Sequence, residues 1–174
     1  NLNHATPAAF YAHQASRSSY YEIGLEMVES GFDYFAGGGL LDPTGSEGGQ
    51  KNLYDRAEQA GYNVVTTQAE AEKVTGGPVV IIDEHLADSD AMAYELDRTD
   101  DMWALSDYVA KGIEVLSQDE DGFFMMCEGG KIDWACHAND AASTIHDTQA
   151  LADAVQVAID FAAEHPEETL ILVT

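Results

Sequence analysis

Two short runs, YNVVTT at 62–67 and PVVIID at 78–83, are β-branched and apolar on consecutive positions rather than on alternate ones. A strand with one wet face alternates apolar and polar residues, so continuous runs belong to strands covered on both faces. Strands of that kind sit in parallel sheets connected by helices, and the rest of the chain has the matching periodicities. Residues 6–15 and 19–30 read as helices, with Leu25 and Val28 three apart and Gly31 as a stop. FDYFAGGG at 32–39 is a short strand running into glycines. Residues 50–60 give a short helix closed by Gly61, and Trp103, Leu105, Val109, Ile113 and Leu116 share one face of a helix over 101–118. A strand GFFMMCE follows at 122–128, then a long amphipathic helix over 139–165 with Leu151, Val155, Ile159 and Ala162 inward, then a strand ETLILVT at 168–174. The acid-rich stretch 85–101 reads as a surface loop with a turn of helix. This alternation predicts an α/β fold with a mostly parallel sheet, helices on both faces and residues 1–174 in a single domain.

The chain has 174 residues, 45% of them hydrophobic, which is enough for a sizeable core. Its charge is the other strong constraint. Seven basic residues against 32 acidic ones leave a formal charge of −25, which repels nucleic acid and anionic membrane surfaces. An anionic substrate therefore needs positive charge supplied locally. The acid surplus suits either high salt or plain solubility. No run of about 18 apolar residues spans a membrane and no signal peptide is present. The start at Asn1 and the stop at Thr174, directly after a strand-like run, read as cut ends of a larger domain. Two cysteines, Cys127 and Cys136, do not indicate a disulfide framework.

In sheets of this class the loops and helix N-termini converge at the carboxyl ends of the strands, where chemistry collects. EGGKIDWACHAND, residues 128–140, lies there. Glu128 ends the strand, two glycines let the backbone pass close to an ion, and Asp133 and His137 stand four apart on one helical face. A carboxylate and an imidazole at that spacing chelate a zinc-like ion; an exposed acidic helix start with a solvated histidine gives the same pattern. Gly37, Gly38 and Gly39 lack the lysine of a phosphate loop and read as a turn. His13, His85, His146 and His165 have no partner pattern, and Met125 and Met126 read as core or pocket wall.

The stretch GFFMMCEGGKIDWACHAND resembles the metal-binding signature of the alkaline phosphatases. NHATPAAFYAHQASR at 3–17 is similar to a second family segment, and DDMWALSDYVAKGIEVLS and QALADAVQVAIDFA to the helices on either side of the signature. The resemblance spans essentially the whole chain and is weakest from about 40 to 75. It implies a three-layer sandwich of the alkaline phosphatase type, incomplete at both ends, and a parent enzyme that hydrolyses small phosphate monoesters through a phosphoserine with two zinc ions and one magnesium. Glu128 and Thr6 would hold the magnesium through oxygen donors. Asp133 and His137 would hold one of the zinc ions. Arg17 would grip phosphate oxygens with its planar fork. His4 and Trp134 depart from members that carry an aspartate and a lysine there; they would tune the site more weakly, or Trp134 simply walls the pocket. The resemblance further implies a periplasmic or secreted protein and a homodimer.

The family's nucleophile, a serine in an Asp-Ser-Ala helix start, has no counterpart here: DSD at 88–90 is the nearest string and has no role assigned. The remaining zinc ligands of the family follow an LVT run as alanine-aspartate-histidine. The isolated chain is therefore expected to be inactive on phosphate monoesters. Two other readings stand beside this one. The first is another metal-dependent member of the same superfamily, such as a sulfatase, phosphodiesterase or phosphoglycerate mutase, disfavoured by the E-x-x-x-x-D-x-x-x-H spacing together with Arg17 downstream of TP. The second is an acidic divalent-cation-binding module without catalysis.

Overall fold

A computed structural model describes residues 1–174. Three parallel strands form its sheet, β1 (Tyr34–Gly37), β2 (Asn63–Val65) and β3 (Val79–Ile82), in the order β1-β3-β2. Tyr34 pairs with Val79 and Asn63 with the same Val79, so the central strand is the most apolar one and is wholly buried. Its successive residues point to opposite faces, and each face is covered. Val80 and Ile82 pack with Ile23 and Met27 of α2 (Tyr20–Glu29) and Leu53 and Ala57 of α3 (Leu53–Gln59). Val79 and Ile81 pack with Tyr108 and Val115 of α5 (Leu105–Leu116), alongside Ala71 of the single turn α4 (Gln68–Ala71). The continuous run at 78–83 is explained by this two-sided burial. Gly24 lets α2 approach α3 closely, since a Cβ there would overlap the Leu53 Cδ1.

The first helix is shorter than the sequence suggests: α1 covers Ala5–Ala9, and the backbone from Ser16 to Ser19 forms a turn. The loop between α1 and α2 is held by Glu26, whose carboxylate accepts from the His13 backbone N–H at 2.6 Å and from Gln14 Nε2. The acid-rich loop carries two 3-10 turns, Asp88–Asp90 and Glu95–Asp97. Helices α6 (Gly130–His137) and α7 (Ala141–Glu164) follow, and α7 packs on α5, on α6 and on the Glu95–Asp97 turn.

Two expected strands are absent as strands. The backbone of residues 123–128 makes no hydrogen bond to other backbone, nor does that of residues 169–174. A strand exists only through its neighbour's N–H and C=O groups, and no extended segment of residues 1–174 lies in register beside either one. Met125 rests against Gly112, Phe124 stacks on Phe10 at 5.6 Å, and Leu170 is 82% exposed. The inward face of α7 is shifted in part from the expected one, with Leu151, Val155 and Ala162 half-buried at its side. Ser143, Asp147 and Ala154 are its buried residues, while Ile159 stands 45% exposed. Small side chains let α7 come close to its neighbours, and this outweighs the apolar stripe. On α5 the expected stripe is shifted similarly: Tyr108, Val109, Gly112 and Val115 are buried, together with Lys111, whose ammonium donates to the Val74 carbonyl at 3.0 Å and to Glu114 at 2.7 Å. Both cysteines are free.

Candidate functional site

The site is assembled from two distant segments. The first is anchored by Asn3, which is fully buried and fully satisfied: its Nδ2 donates to the Tyr20 and Leu41 carbonyls at 2.9 Å and its Oδ1 accepts from the Leu41 N–H at 2.8 Å. Tyr11 adds a bond from its hydroxyl to the Leu2 carbonyl at 2.6 Å. These contacts fix the chain just before His4, the N-cap of α1. Ala5 then takes a φ of 48°, a left-handed conformation that costs an alanine energy. Arg17 returns from the far side of the loop, and its Nη2 lies 3.0 Å from the His4 Nε2. Since a guanidinium only donates, the imidazole Nε2 accepts and the proton sits on Nδ1.

The second segment runs from 123 into α6. Glu128 ends the extended stretch, Gly129 caps the helix and Asp133 occupies its first turn, where the helix dipole favours a carboxylate. His137, in the last turn, is favoured there by the opposite end of the dipole. Its Nε2 stands 3.5 Å from the Asp133 Oδ1, and both side chains are largely exposed. Asn139, with a φ of 56°, ends the helix in a left-handed step. Asp140 immediately caps α7, accepting from the Ala142 and Ser143 N–H groups at 3.1 Å. The tight corner between α6 and α7 follows from those two residues.

Between the two segments lies a cavity of about 1020 Å³, walled on one side by β1 and on the other by residues 122–128. His4, Thr6, Arg17, Glu128, Asp133 and Trp134 all line it. His137 does not, and reaches the cavity only through Asp133. Gly38 closes the end of β1: a Cβ there would meet the Asp90 carbonyl at 3.1 Å, so the close approach of the two backbones requires glycine. Burial pushes the His4 pKa down, and the Arg17 charge pushes in the same direction. The basic side chains on the wall are Arg17 and Lys131. Lys131 escaped the reading of the sequence although its spacing from Trp134, three residues along a helix, was visible; Asn3 gave no signal at all.

The donors match their expected ions in kind. Asp133 and His137 offer the oxygen and nitrogen that zinc takes, but they supply two of the four ligands of a closed zinc site. No three His, Cys, Asp or Glu side chains converge tightly enough to hold an ion in this structure. Glu128 and Thr6 offer the oxygens that magnesium prefers.

The family model for alkaline phosphatase matches residues 1–174. Alkaline phosphatase 4 of Bacillus subtilis is 33% identical over 99% of this chain and 37% of its own length, and the alkaline phosphatase of Escherichia coli 28% identical over 99% and 46%. Among solved structures, a cold-active alkaline phosphatase from Shewanella superposes with a TM-score of 0.81 at 33% identity, covering 95% of this chain and 39% of that one. The alkaline phosphatase of an Antarctic bacterium gives a TM-score of 0.81 at 31% identity, over 95% and 47%, and a variant of it, solved with magnesium bound, 0.82 at 32%, over 95% and 46%. The chain thus spans less than half the length of these relatives. With the family model matching the whole chain and the fold superposing on solved members, the chain belongs to the alkaline phosphatase family.

Proposed function

We propose that these 174 residues form the metal- and phosphate-binding middle of a phosphomonoesterase that works with two zinc ions and one magnesium. The observation that carries this is the convergence of His4, Thr6, Arg17, Glu128, Asp133 and Trp134 on one cavity, although the sequence separates them into two groups more than a hundred residues apart. In this reading Asp133 and His137 hold one zinc, and Glu128 and Thr6 hold the magnesium. When bound, such ions polarise the phosphoryl oxygens and offset the charge that develops during transfer. Arg17 orients the phosphate. Its guanidinium is delocalised, permanently charged and shaped for two oxygens, and His4 holds one of its nitrogens from behind. Trp134 walls the cavity.

Glu128 and Asp133 surround the phosphate with negative charge, so an anion binds well only after cations have occupied the site. The longer protein would hydrolyse phosphate monoesters through a phosphoserine formed on a residue outside this chain. Without that residue the isolated chain binds zinc but does not turn over. Export to the periplasm or the exterior and pairing as a homodimer rest on the family resemblance alone; no helix here is long and apolar enough to cross a membrane.

Titration calorimetry with zinc on the metal-stripped chain tests the site. Micromolar binding that is lost in Asp133→Ala and in His137→Ala is the expected result. Broad millimolar calcium binding indifferent to Asp133→Ala would instead make the chain an acidic ion-binding module. Turnover of a phosphate monoester by the isolated chain, abolished by His137→Ala, would overturn its predicted inactivity.

A further inference from the structure

Lys131 has an unusual set of neighbours for a lysine in so acidic a chain. Its Nζ lies 3.9 Å from the centre of the Tyr94 ring and 4.3 Å from the centre of the Trp134 ring, so the ammonium is shared between two aromatic faces. It makes no ion pair within 4.0 Å, and none of its protons is donated to a protein acceptor at hydrogen-bond distance. Negative charge nevertheless surrounds it: Asp88, Asp97 and Asp147 all act on it through space. Asp147 is 8% exposed, and its Oδ2 has no hydrogen-bond partner. Glu95, in the same loop, is already neutralised by Arg98, whose Nε and Nη2 donate to its two oxygens at 2.9 and 2.7 Å. Three elements meet at this ammonium: the Glu95–Asp97 turn behind Tyr94, helix α6 through Trp134, and helix α7 through Asp147.

We propose that Lys131 is a positioning residue whose ammonium, clamped between Tyr94 and Trp134, ties the 94–97 loop to α6 and fixes the indole that walls the cavity. A cation is attracted to the faces of both rings at once, and it is attracted most to tryptophan. An unbranched, uncharged side chain of similar bulk, such as methionine, fills the space without the charge. The clamp therefore depends on charge and not on bulk, and arginine, which also stacks on aromatic rings, can replace lysine in it. Because Trp134 directly follows Asp133, the clamp also sets how the Asp133 carboxylate meets the cavity; this consequence, unlike the clamp itself, rests on the metal-site reading.

The chain contains two tryptophans, so 5-fluorotryptophan labelling gives two fluorine resonances, the Trp134 one assigned by its loss in Trp134→Phe. In Lys131→Met the Trp134 resonance moves while that of Trp103, packed on Tyr108 at 5.1 Å, keeps its place as the control for folding. In Lys131→Arg the Trp134 resonance returns towards the wild-type position, a rescue that a role in packing alone does not produce. Tyr94→Leu approaches the clamp from the loop and moves the same resonance. A Trp134 resonance unmoved by Lys131→Met, or moved equally by the methionine and arginine variants, overturns the proposal. If both resonances move in Lys131→Met, Tyr94→Leu decides, and a Trp134 signal that stays still in it overturns the proposal as well. These spectra are recorded without metal, so a failure of zinc binding leaves them readable, and zinc binding can survive the loss of the clamp.

Discussion

At His4, burial and a neighbouring cation act on one ring in the same direction. Burial disfavours the imidazolium and the Arg17 guanidinium repels it, so the pKa falls below the ordinary 6.5. The sign of the linkage follows. The unfolded chain takes up a proton on this histidine at a higher pH than the folded chain does, so the stability tied to neutral His4 is present above about pH 6.5 and is lost as the pH falls through the window below it. A proton NMR titration of the metal-stripped chain is expected to place the His4 midpoint below 6.5, and Arg17→Gln is expected to raise it. A midpoint that does not rise in Arg17→Gln would show that the guanidinium does not act on this ring in solution, and a wild-type midpoint at or above 6.5 that the raising effect of Glu128 and Asp133 outweighs burial and Arg17. Asn3 matters at the same scale: its three bonds hold the segment that delivers His4, and a leucine in its place would leave the Tyr20 and Leu41 groups unpaired in the interior.

Among the elements, caps and close approaches decide more than apolar stripes. Helix α3 has an N-terminal cap, with the Asn52 side chain accepting from the Tyr54 N–H at 2.9 Å, followed by Leu53 in the core. Asn52→Ala removes that acceptor, and a loss of about 1 kcal/mol in urea unfolding is expected; a loss below a few tenths would mean that water replaces the cap at no cost. The same logic separates the expected from the observed face of α7. Leu151, Val155 and Ile159 suggest a stripe, yet the helix turns Ser143, Asp147 and Ala154 inward. Asp147 faces the 94–97 loop there, and the tight corner at Asn139 and Asp140 sets the rotation of the whole helix. Periodicity locates a helix, but the partner surface chooses the face.

For the whole molecule, the sheet is strong at its centre and open at its edge. β3 is paired on both sides, whereas β1 faces the cavity with its outer edge and residues 123–128 run along the opposite wall without a ladder. Amide hydrogen exchange is expected to be slowest at Val80 and Ile81 and to approach the unprotected rate at 123–128 and 169–174. Strong protection of 123–128 in the isolated chain would show that this segment finds a strand partner in solution. Exposed Leu170, Leu172 and Val173 make the 169–174 segment adhesive. The net charge of −25 counteracts association, since like-charged surfaces repel at low salt.

How much of this was legible in the sequence depends on the range of the physics. Local and pairwise rules sufficed for β2, β3, α5, α6 and α7, because continuous β-branched runs, helical spacing and caps act within a few residues. They also sufficed to single out the Glu128, Asp133 and His137 pattern, since the spacing of chemical groups along a chain survives without a fold, whereas the Thr6 to Arg17 segment stood out only through its resemblance to the family. They failed for 122–128 and 168–174, where apolar composition alone proposed strands: a strand is a relation between two backbones, and residues 123–128 and 169–174 make no hydrogen bond to another backbone. Only the tertiary structure could bring His4 and Arg17 onto the same cavity wall as Glu128 and Asp133, seat Lys131 between two rings drawn from different elements, and bury Asn3. By itself the sequence determined which residues could do the chemistry; the packing of distant segments decided which of them meet, because burial and contact over a hundred residues depend on the closed chain and not on any local window.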